Sequence, residues 1–196
     1  MNIFYPQFRL SLLPSMLGYA LLGALVAGIY GIVHDKFTYS ISHEYFTRLK
    51  FFQFHYADLG LPPRFFVAEI GFLATWWVGL IAGWFLARVA LPAFPPVQAR
   101  SHIFRRFATI VACAFVASLL GYGLGLLLGT NSDFSRWQGF ASQRGIVDLR
   151  SFVRVAYIHN ASYLGGLIGL IIALLHLRRS KGKASAIAPD PVGNTA

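Results

Sequence analysis

Charge is what this chain most lacks. Only 12% of its 196 residues are charged, and only seven are acidic, against about a quarter charged in an average soluble domain. A chain so poor in charge cannot cover a water-facing surface. Cysteine is nearly absent: the single Cys113 lies in an apolar stretch, which excludes an internal disulfide and any cysteine-based metal cluster. Also missing are a phosphate-binding glycine loop, a nucleophile–base pair and a closely spaced histidine pair. His43-Glu44 opens like a zinc-protease motif, but Thr47 stands where the second histidine belongs. These absences lean against an enzyme, and the sequence assigns no cofactor.

What is present is apolar and blocky. Hydrophobic residues make up 56% of the chain and mean hydropathy is +0.58. A membrane-spanning helix needs about 20 mostly apolar residues, at about 1.5 Å each, to cross a core about 30 Å thick. Four runs qualify: residues 10–33, 65–87, 107–131 and 155–177. Their length and lack of alternation predict an all-α integral membrane protein rather than a barrel. The first run is longer than the core of a signal peptide, so it is expected to stay in place. Pro62 and Pro63 suit the first turn of the second span, and Pro92, Pro95 and Pro96 break any helix between spans two and three. The tail, residues 184–196, is expected to be disordered.

The formal charge of +10 would point to nucleic acid in a soluble protein, but here lysine and arginine sit between the apolar blocks. The expected partners are therefore the lipid bilayer and other membrane subunits or a second copy, not nucleic acid. Arg9, Arg88, Arg100, Arg105, Arg106, Arg178, Arg179, Lys181 and Lys183 fall on one side of a four-span topology. Lys36, Arg48, Lys50, Arg64, Arg136, Arg144, Arg150 and Arg154 fall on the other, nine against eight. The first set crowds into short segments at span ends, where the positive-inside rule acts, so both termini are expected in the cytoplasm.

Spans one and three share Ser15-Met16-Leu17-Gly18-Tyr19 with Ser118-Leu119-Leu120-Gly121-Tyr122. Spans two and four share Ala74-Thr75-Trp76 and Gly79-Leu80-Ile81 with Ala161-Ser162-Tyr163 and Gly166-Leu167-Ile168. The pairing order predicts two tandem hairpins. Small residues four apart (Ala20, Ala24, Gly28; Gly71, Thr75, Gly79, Gly83; Gly121, Gly125, Gly129; Ala161, Gly165, Gly169, Ala173) predict close helix packing rather than a wide pore.

Polar residues gather at one end. His34 and Asp35 close span one, Arg64 and Glu69 open span two, Asn131-Ser132-Asp133 close span three, and His159-Asn160 open span four. His159, Ser162, Tyr163 and Gly166 follow helical spacing, and that face is where Glu69 is expected. A carboxylate inside a membrane is costly unless paired. The residues suit a divalent metal, a proton site or a polar ligand or head group. The plain alternative, a hydrogen-bond network fixing helix register, is favoured by the absence of tight ligand spacing. His34 and His159 are the one histidine pair placed for a haem, but nothing positions a porphyrin.

The loop from Phe37 to Ala57 is aromatic and basic. Tyr45, Leu49, Phe52 and Tyr56 fall on one helical face with Ser42 as cap, which predicts an amphipathic interfacial helix, a candidate lid over the polar cluster. Phe134, Trp137 and Phe140 in the third connection are its expected counterpart. The run Tyr30-Gly31-Ile32-Val33-His34-Asp35, followed by Thr38, Ser42 and Glu44-Tyr45-Phe46, resembles a motif of uncharacterised bacterial polytopic membrane proteins, commonly H-D-Q and S-P-E-Y-F. Lys36 and His43 depart from that pattern, and a looser echo surrounds His159 to Gly166. The resemblance implies a bacterial inner-membrane protein and carries no activity with it. The reading is a structural or interaction subunit with an extracytoplasmic polar site, or alternatively a small transporter or channel for protons, metal ions or a small solute.

Overall fold

An uncharged run in lipid satisfies its backbone only by coiling into a helix, and the computed structural model, which describes residues 8–131 and 134–187, is helical nearly throughout. The helices are α1 (Leu13–Ile41), α2 (Pro63–Ala90), α3 (Pro96–Asn131), α4 (Ser135–Arg144) and α5 (Leu149–Ile187). α1, α2, α3 and α5 are long and apolar enough to cross a membrane, and no strand occurs among the described residues. The chain is a multi-pass membrane protein.

Helix ends follow local chemistry. Pro63 opens α2, Leu91–Phe94 form the turn after Ala90, and Pro96 opens α3. α1 does not stop at Val33; it runs 29 residues to Ile41, about 43 Å at 1.5 Å per residue. His34 and Asp35 therefore lie within the helix, not after it. α5 continues to Ile187, into the segment expected to be disordered, and residues 188–196 lie outside the described ones. Ser132 and Asp133 lie outside them as well.

The spans form two hairpins. α1 packs along α2 and α3 along α5, with far less contact between the pairs. In the first hairpin Gly31 meets Gly71, Gly23 meets Gly79, and Gly83 meets the Tyr19 carbonyl so closely that a methyl on any of these glycines would strike backbone. Thr75 Oγ1 stands 2.8 Å from the Ala27 carbonyl across this seam. The α1 stripe is thus Gly23, Ala27 and Gly31. The expected Ala20, Ala24 and Gly28 flank it and are also buried, Gly28 against the Phe72 ring. In the second hairpin Gly121 and Gly125 pack on Tyr157 and Arg154, while Gly165 and Gly169 pack on Cys113 and Ile110.

The residue-by-residue repeat does not carry into packing. Gly18 and Gly166 face open space, whereas their sequence counterparts Gly121 and Gly79 sit in close seams. Short matches between apolar segments fix neither rotation nor register, so the hairpins are doubled in topology only.

Between the hairpins the core is divided. One cluster, at the terminal end, joins Met16, Leu86, Ala90, Phe94, Ile103, Phe107 and Leu177. The other, at the loop end, joins Tyr45, Phe46, Val67, Phe152 and Val155 with Trp137 and Phe140. The site lies against this second cluster.

Candidate functional site

The site begins about three turns inside α1 from its loop end, on three hydroxyls that no sequence motif groups together. Tyr30 of α1 places its hydroxyl 2.9 Å from Ser162 Oγ of α5 and 3.2 Å from Ser118 Oγ of α3. Ser118 Oγ donates to the Ala114 carbonyl, 2.9 Å away. Its single hydrogen is thereby used, so Tyr30 donates to Ser118 and Ser162 donates to Tyr30. Hydroxyls inside apolar spans are easily taken for helix-interior residues that bond their own backbone. The available signal was Ser118 and Ser162 at one depth in paired spans.

One turn further along α1, His34 Nδ1 and His159 Nε2 both lie 3.1 Å from Asp35 Oδ1. Asp35 and His159 are each only 4% exposed. The two imidazole rings meet edge to face, with centroids 4.7 Å apart. Because His34 and Asp35 belong to the first hairpin and His159 to the second, the cluster ties the two together. His159 Nδ1 stands 3.0 Å from the Val155 carbonyl, which can only accept, so Nδ1 carries a hydrogen and ring orientation is fixed. Both nitrogens of His159 then face acceptors, so its contact with Asp35 is a hydrogen bond only when a proton lies between the two. His34 Nε2 is buried and has no hydrogen-bond partner among the described residues.

The lid is built by breaking a helix. Ser42 is extended (φ −144°, ψ 104°), ending α1, and its Oγ accepts the Tyr45 N–H at 3.3 Å. Thr38 Oγ1 donates within α1 to the carbonyls of His34 and Asp35. Residues Phe46–Lys50 then take a wider π-helical turn, which shifts the phase of the buried face. Tyr45 and Phe46 turn inward against the His159 ring, centroids 4.8 and 6.1 Å away. Phe52 and Tyr56 point outward, 59% and 73% exposed. The single amphipathic face expected over Tyr45, Leu49, Phe52 and Tyr56 is therefore replaced by a broken segment. Burial, helped by the nearby Asp35 charge, pushes the Tyr45 hydroxyl above its ordinary range. Burial pushes the Lys50 ammonium down, with Asp35 opposing.

Glu44 latches this lid to the far loop. α4 ends at Gly145 in the left-handed conformation (φ 63°), with the Ile146 N–H bonded back to Ala141. That turn presents the N–H groups of Val147 and Asp148 to the Glu44 carboxylate, at 3.0 and 2.8 Å. Hydrogen bonds from Ser151 hold the Asp148 carboxyl below its usual range. Trp137 and Phe140 of α4 pack on Phe152, under the same roof.

Other expected members do not join. The carboxylate that meets His159 is Asp35, not Glu69, whose Oε2 is buried with no hydrogen-bond partner among the described residues. Asn160 is exposed and Tyr163 is 43% exposed, so the shared face of His159, Ser162, Tyr163 and Gly166 splits, with only His159 and Ser162 turned fully inward. Lys36, Tyr39, Ser40, His43, Arg64 and Val67 line a neighbouring pocket of about 400 Å³. Fold and site together define an all-helical, four-span membrane protein with a buried His–Asp–His cluster between two hairpins. No protein family, curated protein or solved structure matches this chain.

Proposed function

We propose that this protein is a structural and interaction subunit of a larger membrane assembly. It sits in a bacterial inner membrane with both termini in the cytoplasm and its loop end, with the polar site and lid, outside. The orientation rests on the crowding of arginine and lysine at the terminal end. The observation that carries the interaction reading is Glu69. It lies in a membrane span and is only half-buried, so part of the side chain faces outward, and a carboxylate there is costly in lipid unless another subunit supplies a donor. The glycine seams support the same reading, since backbone pressed against backbone leaves no passage inside either hairpin.

The test is native sizing in mild detergent with Glu69 variants. A particle larger than one chain with its micelle is expected. Glu69→Gln, which keeps an acceptor, retains that particle, and Glu69→Leu releases it. A lone chain in mild detergent, together with pH- or ion-driven flux in liposomes abolished by Glu69→Gln, would instead establish the transporter reading.

A further inference from the structure

We infer that His34, Asp35 and His159 form a binding site for one divalent transition-metal cation of the zinc or cobalt type. In a tetrahedral site with bonds of about 2.0–2.1 Å to nitrogen and oxygen, neighbouring donors stand about 3.3 Å apart. Here two of the three edges, His34 Nδ1 to Asp35 Oδ1 and His159 Nε2 to Asp35 Oδ1, measure 3.1 Å. All three donors lie within 4.8 Å of one another, so closing the third edge takes a side-chain shift of at most about 1.5 Å.

The surroundings are those of a metal ligand set. Metal-bound histidine characteristically gives its other ring N–H to a carbonyl or carboxylate, and His159 Nδ1 gives its hydrogen to Val155. The carbonyl fixes the ring so that Nε2 points at Asp35. The second observation is His34 Nε2, a buried nitrogen without a partner on a side chain that is 10% exposed. No bond at Nε2 fixes the tautomer of His34, so its ring hydrogen can move there and leave the Nδ1 lone pair free for a ligand role. A cation would take the lone pairs of Asp35 and His159 in place of any proton between them, and His34 Nδ1, whose hydrogen moves to Nε2. Two nitrogens and one carboxylate oxygen suit zinc or cobalt better than magnesium or calcium. Tyr45 and Phe46 cover the His159 ring and restrict exchange with water, and a fourth coordination position is left for an external donor. This inference stands independently of the interaction reading, because it needs no second subunit.

The experiment uses the full-length protein, free of any histidine tag, extracted in detergent and stripped by a chelator that is then removed. Titration with Co²⁺ is read by visible absorption, and Zn²⁺ bound after dialysis is read by elemental analysis. About one ion per chain is expected, with zinc displacing the cobalt signal. Asp35→Asn and His159→Gln each weaken Zn²⁺ binding at least tenfold, whereas His176→Gln, at the opposite end of α5, leaves it unchanged. Because the cluster also holds the hairpins together, ¹⁵N-histidine spectra of the unsubstituted protein give a second reading. Zn²⁺ should move the His34 and His159 ring resonances and leave His176 in place. Far less than one ion per chain, equal binding by the Asp35 and His159 variants, or histidine spectra unmoved by Zn²⁺ overturns the inference.

Discussion

Single residues in this protein act by linking distant segments more than by their local surroundings. Glu44 is the clearest case, because its carboxylate accepts backbone N–H groups more than a hundred positions away, at Val147 and Asp148. Hydrogen bonds to a charged acceptor are worth about 1.5–3 kcal/mol each when buried, and less at an exposed site such as this. Glu44→Ala is therefore expected to lower stability by only about 1 kcal/mol while loosening the lid selectively. Amide exchange should quicken across residues 43–57 and at Val147 and Asp148, with the middle of the spans unaffected. Nothing near Glu44 in sequence announces this role. A carboxylate in a loop reads as a solvated charge until the turn at Gly145 is seen to present amides to it.

At the scale of helices, stability rests on backbone approach. Gly71 abuts Gly31, whereas Gly18 has open space around it. Forcing a large side chain into a packed seam costs about 1–3 kcal/mol, and a surface substitution away from such features about 0.5 kcal/mol or less. Gly71→Ile should then lower stability by at least about 2 kcal/mol and Gly18→Ile by no more than a few tenths, as measured by unfolding in mixed micelles.

Run length made the four spans legible, and proline placement marked the start of α2 and the break before α3. The end of α1 was not legible, because an apolar count stops at His34 while the hydrogen-bond ladder continues to Ile41 through a carboxylate paired with two histidines. Sequence also gives depth along a span but not rotation about its axis. For that reason the spacing points to Glu69 as the partner of His159 where Asp35 stands, and to Ala20, Ala24 and Gly28 where the closest α1 contacts also run through Gly23, Ala27 and Gly31. The lid's phase was hidden by the π turn at Phe46–Lys50, which no periodicity announces.

Taken whole, the molecule is two zippered hairpins with little between them except an apolar cluster at each end and a polar column. That column runs from Ser118, Tyr30 and Ser162 to His34, Asp35 and His159, and then to Tyr45 and Phe46. Convergence of polar residues at one end was visible in the sequence, because four runs with two long loops put those residues at one level. That the convergence joins the hairpins, and through which atoms, depends on helix pairing. The most direct test is a double-mutant cycle on Asp35 and His159, using Asp35→Asn, His159→Gln and the double variant in reversible unfolding. Residues sharing a buried bond couple by about 0.5–3 kcal/mol, while unlinked sites add to within about 0.3–0.5 kcal/mol. The Asp35–His159 coupling is predicted at about 1 kcal/mol or more, with Asp35 and His176 additive as the control. Additive losses at Asp35 and His159 would contradict a site built between the two hairpins.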